Sequence, residues 1–153
     1  MTMKEQHGLS GRLHIRVSDP EGRTVEERRV ENLITDAGRQ LLARMFSGQV
    51  VATELRIAVG TNAAALGADS ATLTRVADAK ASIVVDDPVQ AGRALAHVVA
   101  TLPASGDVNP QPIAEAGIVI VLPDRQVVYN RVTFPVVNRA GNLEMTFTWE
   151  VSF

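Results

Sequence analysis

The sequence has no cysteine, which rules out a disulfide framework and any thiolate metal site. Lysine is nearly absent too: Lys4 and Lys80 are the two copies, and every other basic side chain is arginine. That bias fits an arginine-rich protein interface and equally a GC-rich coding sequence. With a formal net charge of −2, the chain lacks the basic footprint of a protein that grips nucleic acid through its phosphates. Aromatic residues make up 4%, too few for a base-stacking face. No apolar run approaches the ~20 residues of a membrane-spanning helix. The opening MTMKEQHGLSGR holds no secretory h-region. The expectation is synthesis in a cytoplasm, with no membrane partner and no direct nucleic-acid partner.

Catalytic patterns are equally scarce. His7, His14 and His97 have no second histidine or carboxylate at ligand spacing, so neither HxH nor HExxH occurs. The serines form no GxSxG elbow and no SxxK pair. VGTNAAALG is bounded by glycines but lacks the lysine of a phosphate loop. Asp86 and Asp87 read as solvated turn acids. Glu115, set among apolar residues in IAEAG, reads either as half of a buried ion pair with an arginine or as an acid at an exposed strand start, and the pair is favoured. No enzyme, cofactor or metal site is expected.

What the chain does have is alternation. In NLEMTFTWEVSF, Leu143, Met145, Phe147, Trp149, Val151 and Phe153 share one face, and Glu144, Thr146, Thr148, Glu150 and Ser152 the other. Period-two alternation of this length predicts a half-buried antiparallel strand, placed centrally. Leu13, Ile15 and Val17 alternate in the same way before a turn at Asp19-Pro20-Glu21-Gly22 and a charged return strand over Thr24–Val30. That charge load predicts an edge or a strand with one wet face. One helix is predicted near residues 35–47, capped by Thr35 or Asp36, with Ile34, Ala37, Leu41, Leu42, Met45 and Phe46 as its apolar stripe. Gly38 within it implies close packing on a sheet.

Further strands fall in ELRIAVG, KASIVVDD, GRALAHVVATLP, IAEAGIVIVL and QVVYNRVTFPVV. The reading is mainly β: an antiparallel β-sandwich of about eight strands with one helix, residues 1–10 being a flexible arm and 11–153 a single domain. Its core is expected to include Leu41, Met45, Phe134, Phe147 and Trp149.

Three segments in order carry a resemblance: NLITDAGRQLLARMFSG, then ELRIAVGTNAAALGADSATL, then IAEAGIVIVLPDRQVVYNRVTFPVV leading into LEMTFTWEVSF. Together they resemble a family of small structural proteins of tailed bacteriophages and related phage-tail-like particles. The resemblance spans about Gly11 to Phe153, and the stretch Asp78–Gly92 contributes nothing to it. It implies a non-enzymatic virion protein, present in several copies, in a tail, baseplate or fibre attachment site. Its partners would be other virion proteins and copies of itself. On that reading the working surfaces are the arm, the charged strand with Glu26, Glu27, Arg28, Arg29 and Glu31, and the loop Thr61–Leu73 with Thr61 and Asn62. A head-surface decoration protein is the near alternative. A receptor- or carbohydrate-binding sandwich using loops 61–72 and 103–112 is the alternative of a different class.

Overall fold

The computed structural model describes residues 9–69, 72–87, 89 and 92–153. In chain order the elements are β1 (Ser10–Ser18), β2 (Thr24–Glu31), β3 (Leu33–Ile34), α1 (Asp36–Phe46), β4 (Glu54–Gly60), β5 (Arg75–Lys80), β6 (Ser82–Val85), β7 (Leu95–Leu102), β8 (Gln111–Val121), β9 (Gln126–Val128), β10 (Asn130–Arg139) and β11 (Glu144–Ser152). They form two antiparallel sheets packed face to face, ordered β2-β1-β11-β7-β6 and β3-β10-β8-β4-β5, with β9 beside the far half of β8. The chain is a β-sandwich carrying one helix.

Among the described residues eleven strands stand where about eight were expected, because three are invisible to alternation. β3 is two residues long and β9 three. β5 and β6 are separated by Ala81 alone, yet they belong to different sheets. The Ala81 amide bonds to Leu55 O at 2.9 Å, so the chain stays tied to β4 as it crosses over.

The regular final strand holds the centre of the five-stranded sheet, paired with β1 on one side and β7 on the other. Trp149 stands between Leu13 and Val98, and Phe147 between Ile15 and Ala100. Trp149, Phe147, Met145, Leu13, Ile15 and Val17 are all sealed from solvent. Phe134 on β10 and Leu41 on α1 are buried as well, whereas Met45 is partly covered at the margin of the core. Phe153 breaks the alternation expected of it and is 46% exposed, lying just past the last strand.

The helix rests on the sandwich over a narrower stripe than expected. Gly38 and Leu41 are its buried residues, while Ala37 lies exposed and Phe46 stands 96% exposed. Close approach at Gly38 sets this geometry: a Cβ there would meet the carbonyl oxygen of Tyr129 at 2.5 Å. Helix and sheet therefore touch along one short line, with Leu42 and Met45 partly covered beside it. Thr35 is the N-cap and accepts from the Gly38 amide at 2.9 Å, while its hydroxyl donates to Val128 O. Thr35→Ala is expected to cost about 1–2 kcal/mol, read as a shift of the denaturant midpoint without a change in slope.

The flexible arm expected over residues 1–10 does not include residues 9 and 10. Leu9 packs against the core and Ser10 opens β1, because β1 must extend that far to pair Ser10 with Ser152. Residues 1–8, with His7, lie outside the described residues.

Candidate assembly surface

Polar chemistry inside the sandwich serves the fold. Glu115 on β8 is fully buried, and its Oε1 accepts from Arg131 Nε at 2.9 Å. Its Oε2 accepts the backbone amides of Asn62 (2.8 Å) and Thr74 (3.0 Å). Arg131 Nη2 donates to Asn62 O at 2.9 Å. A buried charge is tolerable only when paired and hydrogen-bonded, and here the pair also pins both ends of the loop between β4 and β5. The middle of that loop is held by the Asp36 amide donating to Ala68 O at 3.1 Å. Gly60, opposite Glu115 in the ladder, leaves room for the carboxylate: a Cβ would sit 2.5 Å from Oε2. Asn62 is thus an anchor, its side chain accepting from the Ala64 amide. Thr61 remains at the surface.

A second internal network joins Asn32, Trp149 and Asn130. Trp149 Nε1 donates to Asn32 Oδ1 at 2.7 Å, and Asn130 Nδ2 reaches the same oxygen at 3.3 Å. Asn130 Oδ1 accepts the Ile118 amide at 2.8 Å, replacing a ladder bond where β9 gives way to β10.

The charged strand β2 is an edge strand, and its charges divide between two faces. Glu26 and Arg28 lie opposite Val17 and Ile15, so both face inward. Arg28 donates to Pro135 O (3.1 Å) and Val136 O (3.4 Å), where β10 bulges out of register between Thr133 and Val137. Inward-pointing charge is a standard way to blunt a sheet edge. Arg28 is thereby committed within the chain. Glu27, Arg29 and Glu31 face outward beside His14 and Arg12.

Across the outer face of this sheet runs a row of ion pairs. Arg12 meets Glu150 at 2.8 Å, Arg29 meets Glu27 at 3.5 Å, and His14 lies 3.8 Å from Glu27. The glutamate hydrogen bond, the largest contribution, holds the Arg12 guanidinium above its ordinary range. His97 Nε2 stands 3.0 Å from Asp86 Oδ2. The linear sequence gave no sign of this partner, eleven residues away, because antiparallel pairing of β6 with β7 is what brings them together. On the other sheet, Asp78 receives Arg56 at 2.8 Å and Arg75 at 2.6 Å. Chiefly through the Arg56 hydrogen bond, its carboxyl is held below the usual range.

Where β1 begins, a groove of about 630 Å³ opens between the sheets' ends. Arg12, Arg39, Arg93, Glu31 and Glu150 supply its charge, Leu9 and Leu95 its apolar floor, and Arg93 donates to Ser10 Oγ at 3.1 Å. Among the described residues no group of three or more histidine, cysteine or acidic side chains is placed to hold a metal. No described helix is long and apolar enough to cross a membrane. No family model, curated protein or solved structure matches the chain.

Proposed function

We propose that the chain is a non-enzymatic virion structural protein, a multi-copy component of a phage tail, baseplate or fibre attachment site that works through protein–protein surfaces. One observation carries the reading beyond the resemblance of its segments. The chemically demanding groups (Glu115, Arg131, Asn32, Asn130 and Arg28) are spent on internal bonds. What remains for partners is the outer face with Glu27, Arg29 and Glu31, the exposed Thr61 side of the pinned loop, and the groove lined by Leu9 and Ser10. A segment that orders against a neighbour gains contacts over a long path and gives up conformational entropy only on binding.

The test deletes residues 1–8 and leaves Leu9 and Ser10 in place. The truncated protein is expected to keep its thermal midpoint and to lose incorporation into particles in a complementation assay. Normal incorporation removes the arm from the mechanism; loss of folding makes residues 1–8 part of the core.

A further inference from the structure

Among the described residues the two sheets end in five strands, four of which are protected: β9 is three residues long and its Val128 O is taken by the Thr35 hydroxyl. β2 carries inward and outward charge, β5 carries Arg75, Asp78 and Lys80, and β3 is two residues long and runs into α1. β6 is Ser-Ile-Val-Val, without a charge, proline or bulge. Ile83 and Val85 lie on the inward side, opposite Val98 and Ala96, yet are 47% and 65% exposed; Val84 on the outer side is 63% exposed. Soluble proteins blunt such edges unless they are used.

The ladder fixes which backbone groups are free. The Asp86 amide donates to Leu95 O at 2.8 Å, whereas Ala94 exchanges bonds with Phe153 on the other flank of β7. Bonding in an antiparallel pair alternates residue by residue. Ser82, Val84 and Asp86 therefore turn their N–H and C=O toward β7, and Ile83 and Val85 turn theirs away from the sheet. Among the described residues no strand receives them.

We infer that β6 pairs antiparallel with β6 of a second copy, joining two five-stranded sheets into one of ten strands across a two-fold axis. The register that uses all the free groups sets Ile83 of each copy opposite Val85 of the other, giving four main-chain hydrogen bonds with Val84 on the axis. The flanking charges select this direction. β6 is preceded by the exposed Lys80 and followed by the exposed Asp87, so antiparallel pairing brings the cationic end of each copy to the anionic end of the other, while parallel pairing sets like against like. A two-fold contact needs such a self-complementary patch, and strand addition supplies affinity through the backbone. The inference deepens the multi-copy reading by naming the self-contact, and it is tested on purified protein apart from any particle, so the two can fail separately.

Sedimentation of the full chain is expected to show a concentration-dependent dimer. Ile83→Pro removes an amide that β7 does not use, a position where a strand accepts proline. It should keep the circular dichroism spectrum and thermal midpoint while weakening dimerisation at least about tenfold. Val84→Cys, in a chain otherwise without cysteine, faces its own copy across a non-bonded pair about 4.5 Å apart at Cα, close enough for a disulfide. Mild oxidation should convert it to a covalent dimer and leave the exposed control Val51→Cys without a covalent link. The proposal is overturned by a strict monomer, by a dimer that Ile83→Pro leaves intact, by equal cross-linking of the two cysteine variants, or by a dimer that appears only once residues 1–8 are deleted. In that last case the edge belongs to the chain's own N-terminal segment.

Discussion

Trp149→Ala is expected to remove about 3–5 kcal/mol of folding stability, the range for emptying a large aromatic site. Whole domains hold only about 5–15 kcal/mol, so the variant should sit near the edge of unfolding. The site justifies the upper range: Trp149 is sealed from solvent on the central strand, with β-ladder neighbours on both sides. Rigid strands cannot close over the cavity as a loop would. Trp149→Phe separates the two roles of the side chain. It keeps most of the apolar volume and removes the donor to Asn32 Oδ1. Because Asn130 still reaches that oxygen, the loss should stay near the low end of the roughly 1–3 kcal/mol for an unsatisfied buried group. Denaturant titration measures both, and a loss below about 1 kcal/mol for alanine would show that the core does not depend on this residue.

Glu115→Gln should cost about 3–5 kcal/mol, because it leaves the Arg131 guanidinium buried without its counter-charge. The effect should be felt beyond global stability. Asn62 and Thr74 lose their shared ionised acceptor, so the ends of the loop between β4 and β5 should exchange their amide hydrogens faster and become open to proteases. Adding Arg131→Met removes the stranded charge, and the double variant should lose less than the sum of the two single losses, as expected for residues in one network. It should not recover fully, since methionine cannot donate to Asn62 O. Additive losses, or a loop whose exchange is unchanged, would mean that the pair does not hold the loop.

Much of the architecture was legible in the chain itself. Strict alternation in the first and last strands fixed their inward faces, because a pleated strand can bury only every second residue. The run of charges over Thr24–Val30 marked an edge or a strand with one wet face, and Gly38 marked close packing of helix on sheet. Glu115 stood out because an acid amid apolar residues needs a partner. These are local properties, and local sequence determines them. Tertiary structure decided the rest. That Arg131 is the partner of Glu115, and Asp86 that of His97, follows from strand register. The exposure of Phe46, five residues and about 140° round the helix from the buried Leu41, follows from how narrow the contact with the sandwich is. The short strands β3 and β9 exist because longer neighbours offer them bonds. The crossing at Ala81, which leaves β6 as an uncharged edge, depends on which sheet each half of that segment joins. Pairing between residues far apart in the chain is paid for by the whole core, so no short window of sequence can encode it.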